Sequence, residues 1–221
     1  MKYIIANWKM NMDLKRITSW VEYYRITRKF NPQKVQVIVA PSHINLALVY
    51  DVANSLKISL ASQDVSNMER GAHTGENGAF QIKEFCSYSI VGHSERKEPR
   101  ELVYEKREIC LKEGIVPIVC FTKVSDALDA YKSGCFIAWE DPANISKNGE
   151  YKEKDPKEIE KGVNEIRSKL PTEAILIYGG SVNKDNIPYL ASMKGLDGVL
   201  VGNASLDSEH FVKIIDTISQ V

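Results

Sequence analysis

The chain has 221 residues, 29 Lys+Arg against 29 Asp+Glu, and is 43 % hydrophobic. Zero formal net charge argues against a nucleic-acid binder, which needs a basic surplus, and no apolar run approaches the ~20 residues that span a bilayer. The first thirteen residues hold no long apolar stretch with a small-residue cleavage site, so a cytoplasmic protein is expected. Cys86, Cys110, Cys120 and Cys135 lack C-x-x-C spacing and have apolar or helical neighbours, which reads as buried free thiols in a reducing compartment.

Two periods alternate along the chain. A first apolar run at 3–6 is followed by Ile17, Trp20, Val21 and Tyr24 at i, i+3, i+4 and i+7, one face of a helix. The run 35–40 precedes Leu46, Val49, Tyr50 and Ala53, again at helical spacing. After 58–61 the third helix, around 81–85, is the shortest. Further runs follow at 88–91 and 115–120, then a helical face of Val124, Ala127, Leu128 and Tyr131. The run 135–138 leads to Ile159, Val163, Ile166 and Leu170, in a helix that starts near Pro156. Runs at 174–178 and 198–201 complete the set, and Phe211, Ile214, Ile215 and Ile218 form the last helix behind an N-cap at Ser208. Several runs are continuously apolar, as strands buried on both faces are. Eight strand–helix units imply parallel pairing with right-handed crossovers, and a single (β/α)8 barrel domain over residues 1–221 is expected. An open doubly wound sheet is the runner-up, but it has fewer units and a G-x-G-x-x-G turn, which is absent here.

In such a barrel, reactive groups belong just beyond the carboxyl ends of the strands, where the loops converge. Asn7, Trp8 and Lys9 follow the first strand, Gly92 to Glu95 the fourth, and Glu140 and Asp141 the sixth. Gly179, Gly180 and Ser181 follow the seventh, and Gly202 and Asn203 the eighth. Taken singly, Lys9 reads as a solvated lysine, His93 as a turn histidine and Glu140 as half of a structural ion pair. The glycine turns say more: bare backbone N–H groups ahead of a helix suit a phosphate. Together these residues place a carboxylate, an imidazole, an ammonium and an anion cradle on one rim.

The segments Ala6-Asn7-Trp8-Lys9-Met10-Asn11, Ile90-Val91-Gly92-His93-Ser94-Glu95-Arg96, Tyr178-Gly179-Gly180-Ser181-Val182 and Leu200-Val201-Gly202-Asn203-Ala204-Ser205-Leu206 resemble the signature blocks of the triosephosphate isomerase family, in family order. Gly71-Ala72-His73-Thr74-Gly75-Glu76-Asn77 resembles that family's protruding third loop. The resemblance implies interconversion of dihydroxyacetone phosphate and glyceraldehyde 3-phosphate with no metal or organic cofactor. It implies Glu140 as base, His93 as neutral electrophile and Lys9 as the positive charge. Asn7 and Glu95 would support them, with the phosphate held near Ser146, Gly180, Ser181, Gly202 and Asn203. It also implies a homodimer, with a tetramer as the other assembly, in which the loop at Thr74 docks beside the neighbour's Lys9. No nucleic-acid or membrane partner is expected, and His43, His73 and His210 show no metal-ligand spacing.

The chain departs from the family at three places. Pro142 stands one position later than the family's Glu-Pro, and Ser146 takes the place of a phosphate-gripping glycine. Asn203 replaces another glycine, a swap that left-handed backbone would tolerate. Phe121 and Thr122 follow Cys120 where the family has Gly-Glu, and the stretch to Glu140 leaves room for one modest helix. These changes motivate an alternative, a catalytically impaired relative that binds a phosphorylated metabolite or a protein partner. A third reading, a barrel isomerase of another sugar phosphate, would need a roomier mouth.

Overall fold

Strand and helix alternate along the chain in the computed structural model, which describes residues 1–140, 144 and 154–221. The strands are β1 (Lys2–Asn7), β2 (Val35–Ala40), β3 (Ser59–Ser62), β4 (Tyr88–Val91), β5 (Val116–Phe121), β6 (Phe136–Trp139), β7 (Ile175–Tyr178) and β8 (Gly198–Val201). The helices between and after them are α1 (Leu14–Thr27), α2 (Leu46–Leu56), α3 (Ala79–Ile82), α4 (Arg100–Glu113), α5 (Ala127–Ala130), α6 (Pro156–Arg167), α7 (Ile187–Ser192) and α8 (Ser208–Ser219). Each strand pairs in parallel with the next, and β8 pairs with β1, so the sheet closes into a (β/α)8 barrel.

Closure explains the unbroken apolar runs. Ile5, Ile38, Ile90, Ile118, Phe136, Ile177 and Leu200 form a cluster drawn from strands alone, which fills the barrel. Their neighbours Ile4, Val37, Val39, Val91, Val119, Ile137, Leu176 and Val199 join the larger cluster shared with the helices. Alternate residues thus face two different dry layers, and no strand position needs to be polar. Within the outer layer Trp20 stacks on Tyr24 with centroids 4.8 Å apart. The Trp20 indole N–H donates to the Ser205 carbonyl at 2.9 Å, which pins α1 to the turn after β8.

Local chemistry sets the helix ends and corrects several sequence expectations. The last helix is capped by Asp207, which accepts the His210 N–H at 2.7 Å; Ser208 is the first helical residue, not the cap. Asp155 caps α6, with Pro156 in the first turn as expected. That helix stops at Arg167, so Leu170 packs on the core from beyond its end. Tyr50 is 47 % exposed, because the buried stripe of α2 runs through Leu46, Val49, Ala53 and Leu56 and leaves Tyr50 at its edge against Phe85. The fifth unit is a 3-10 turn, Val124–Asp126, and the single turn of α5. One turn cannot turn two consecutive residues inward: Ala127 is buried and Leu128 is 56 % exposed. The third helix lies at Ala79–Ile82, earlier than 81–85. All four cysteines are buried and free.

One contact in the outer layer fixes the end of β6. The Trp139 indole donates to the Thr122 carbonyl at 3.3 Å, meets Tyr178 edge-on, and lies against the backbone of Gly162 in α6. A methyl on Gly162 would sit 2.2 Å from the Trp139 ring. Gly162→Ala gains up to about 1 kcal/mol of helix propensity, whereas overpacking a core costs ~1 to 3 kcal/mol. Urea unfolding of Gly162→Ala should therefore show a lowered midpoint with an unchanged m value; a raised midpoint would show that the indole yields.

Candidate active site

The ends of β1, β4, β6, β7 and β8 converge on one mouth. From β1, the buried Asn7 turns its side-chain oxygen back to accept the Lys9 N–H at 3.0 Å. This holds Lys9 in left-handed backbone, φ 50°, a conformation that costs a non-glycine residue ~1 to 3 kcal/mol and persists only where its surroundings enforce it. The Lys9 ammonium reaches Glu95 Oε1 at 2.7 Å.

Gly92 lets the chain reverse after β4. Its φ is +71°, and a Cβ there would lie 2.6 Å from Val103, so no side chain fits. The reversal turns His93 inward, where it is 7 % exposed. The His93 Nδ1 accepts the Glu95 N–H at 3.3 Å, which leaves the proton of the neutral ring on Nε2. That Nε2 lies 3.0 Å from Glu140 Oε1. The other Glu140 oxygen accepts the Ser94 N–H at 2.9 Å. Glu140 follows Trp139 directly out of β6 and is 1 % exposed. Burial pushes its carboxyl up, but the hydrogen bonds from His93 and the Ser94 N–H outweigh that and hold it below the ordinary carboxylate value. The Cys120 thiol on β5 is pushed well up, by burial first and by the Glu140 carboxylate second. It therefore faces the carboxylate as a protonated, uncharged wall.

Asn7, Lys9, His93, Glu140, Gly179, Ser181, Leu200, Gly202 and Asn203 line one cavity of about 30 Å3, room for about two waters. A larger hollow of about 280 Å3 lies behind it, between the Gly92–Ser94 turn, α4 and the short fifth unit. Size does not track chemistry here, since the small cavity gathers the carboxylate, imidazole and ammonium. Ser181 is left-handed, φ 44°, and its carbonyl accepts from the side chains of Asn183 and Asn186. Helix α7 starts only at Ile187, so the turn itself, and not a helix end, brings backbone to the cavity at Ser181. After β8 the 3-10 turn Asn203–Ser205 starts directly beyond Gly202. Asn203 is not left-handed, so the asparagine needs no tolerance of left-handed backbone here.

The structure thus brings Asn7, Lys9, His93, Glu140, Ser181, Gly202 and Asn203 to one cavity. Gly180 sits between two lining residues without lining it, and Glu95 stands behind Lys9, half exposed. Thr74 belongs to a wholly exposed stretch, 68–77. Ser146 lies outside the described residues. Across the short fifth unit the Glu140 N–H bonds to the Phe121 carbonyl at 2.9 Å, which ties the carboxylate's backbone to the end of β5. Sequence reasoning missed the Ser94 N–H, whose partner lies 46 residues away. It also missed Gln63, the polar residue just beyond β3, although the strand-end rule that found the others points to it. Among the described residues no cluster of His, Cys, Asp and Glu could hold a metal ion, and no helix is long and apolar enough to cross a membrane.

A family model described as triosephosphate isomerase matches residues 2–218. Triosephosphate isomerase of Dehalococcoides mccartyi (strain CBDB1) is 31 % identical over 240 residues, covering 96 % of this chain and 94 % of its own. That of Legionella pneumophila (strain Lens) is 32 % identical over 253 residues, covering 99 % of each. That of Wolbachia pipientis wMel is 30 % identical over 232 residues, covering 98 % of this chain and 94 % of its own. The match runs from the first strand into the last helix and takes in every element that shapes the cavity, and the chain belongs to the triosephosphate isomerase family.

Proposed function

We propose that this chain interconverts dihydroxyacetone phosphate and D-glyceraldehyde 3-phosphate through an enediolate, as a glycolytic and gluconeogenic isomerase of the cytoplasm acting as one barrel domain. The observation that carries it is the Glu140–His93 contact of 3.0 Å in a cavity shared with Lys9. A carbonyl oxygen entering the cavity takes over the His93 Nε2 proton as hydrogen-bond donor, which frees Glu140 Oε1 to face the adjacent carbon. Glu140 removes a proton from that carbon, and the C–H electron pair becomes the enediolate double bond while charge moves to oxygen. The imidazole N–H and the Lys9 ammonium stabilise that charge, each such donor being worth ~3 to 4 kcal/mol when preorganised. A proton passes from the hydroxyl of the first carbon to the charged oxygen of the second, relayed by His93 Nε2, while Glu140 returns its own proton to the second carbon, so the two adjacent carbons have exchanged oxidation state.

Backbone N–H groups around Ser181, Gly202 and Asn203 bind the phosphate in this reading, with Gly180 allowing close approach and Ser146 adding a further contact. Asn7 and Glu95 hold Lys9. The assembly we propose is a homodimer built on the exposed loop around Thr74. The nearly fully exposed Met10 and Ile44, in the turns after β1 and β2, support it. Sedimentation equilibrium should give twice the 24.9 kDa of one chain; four times that mass would replace the dimer by a tetramer.

A coupled assay of aldehyde formation from dihydroxyacetone phosphate tests the activity. Glu140→Gln keeps the shape and removes the base, so kcat should fall about 10^3-fold with little change in KM. Unmutated protein no faster than Glu140→Gln would end the proposal. The pH profile gives a second test. The Glu140 carboxyl is held below its ordinary value of 4.5, so the active carboxylate persists as pH falls and is lost only through that lowered value. The acid limb of kcat/KM, corrected for the substrate phosphate ionising near 6, should therefore lie below pH 4.5. A limb above it would mean that burial outweighs the hydrogen bonds.

A further inference from the structure

We infer that Gln63 is a positioning residue for the reaction, whose side-chain amide sets the direction of the Lys9 ammonium by clamping the Lys9 backbone. The inference rests on the proposed isomerase activity and on the role of Lys9 in it. Gln63 stands just beyond β3, half-buried, and its Nε2 donates to the Lys9 carbonyl at 2.9 Å and to the Ala40 carbonyl at 2.8 Å. Both N–H bonds of that amide are spent on backbone acceptors. Ala40 is the last residue of β2, and its carbonyl also accepts the Trp8 N–H at 3.1 Å. The Lys9 peptide is therefore held from both sides: its N–H by Asn7 Oδ1, its carbonyl by Gln63.

The clamp matters because Lys9 is one of four non-glycine residues with positive φ among those described. Left to itself, a lysine relaxes to φ near −60°, and the side chain then leaves in another direction. The Glu95 contact alone does not prevent this, since Glu95 is half exposed and the lysine stem is long and flexible. The chemistry at position 63 is specific. Two carbonyl oxygens require a two-hydrogen donor at that reach. A carboxylate there would face both acceptors with a third, and asparagine is one methylene too short to span them.

Two variants and a double-mutant cycle test the inference, at a temperature where circular dichroism shows each variant folded. Gln63→Met, which keeps the length and removes the donors, should lower kcat/KM for dihydroxyacetone phosphate by about 10- to 100-fold. It should also weaken competitive inhibition by inorganic phosphate, because the misplaced ammonium no longer adds its charge to the cavity. In a Lys9→Met background the same change should cost nothing further. Gln63→Glu supplies the readout that a packing role would not move. Its carboxyl donates one hydrogen bond when protonated and repels both carbonyls when ionised, so activity should fall as pH rises through a range where the unmutated protein is flat. Wild-type kcat/KM and phosphate inhibition in Gln63→Met, or full additivity with Lys9→Met, overturns the clamp while leaving the isomerase reading intact. An unmutated protein without turnover overturns both.

Discussion

An open edge on this sheet would leave a row of unpaired backbone N–H and C=O groups. The pairing of β8 with β1 removes that edge, and the geometry of the mouth depends on this closure. Residues far apart in the chain leave their strands pointing at a common axis. Glu140 and His93, 47 positions apart in numbering, meet at 3.0 Å because β4 and β6 flank β5 in the closed order. The helices complete the layer that keeps strand faces dry, and contacts such as Trp20 to Ser205 carry their positions back to the turns around the cavity.

Closure also sets the electrostatics. Charged groups at the mouth lose water, so each is held by a partner before any substrate arrives. Glu140 has the His93 ring and the Ser94 N–H, and Lys9 has Glu95. Behind them Lys106, only 4 % exposed, binds both Asp64 oxygens and Glu98, and Arg96 bridges the same two carboxylates. Removing the buried Lys106 would leave Asp64 and Glu98 without their innermost partner, at a cost of ~3 to 5 kcal/mol. The network ties the loop after β3 to the loop after β4, the two loops that carry Gln63 and His93. Preorganisation here is a matter of dipoles already aimed, so little reorganisation remains when charge develops on a substrate oxygen.

The short fifth unit falls where the barrel tolerates it. The fifth unit is only about two turns long and borders the hollow of about 280 Å3 beside α4, and the strand it follows holds its register with β6 from Ile118 to Phe121. Loops can shorten because strand pairing, not loop length, holds the sheet. Trp139 shows the same economy from the other side: its ring spans Thr122, Tyr178 and Gly162, so three neighbours steady the residue just before the carboxylate.

Much of this was legible in the order of residues. Doubly buried strands read as unbroken apolar runs, and all eight strands fall within about a residue of where those runs lie; the ends of β1, β4, β6, β7 and β8 then single out Asn7, Lys9, His93, Glu140, Ser181 and Gly202. Helix faces read less well: Tyr50 and Leu128 fit the period and stay exposed, since burial depends on what packs opposite and on how many turns the helix has. The Asp207 cap was one position off because aspartate and serine serve equally and the local backbone chooses. The order of residues therefore carries the alternation, the parallel pairing it implies and the identity of the polar groups at the strand ends, while the closure of β8 on β1 belongs to the folded chain. Only the tertiary structure decided that Ser94 donates to Glu140, that Gln63 holds the Lys9 carbonyl and that Lys9 and Ser181 are left-handed. Backbone hydrogen bonds and φ angles at the mouth come from segments far apart in the chain, and no local pattern carries their direction.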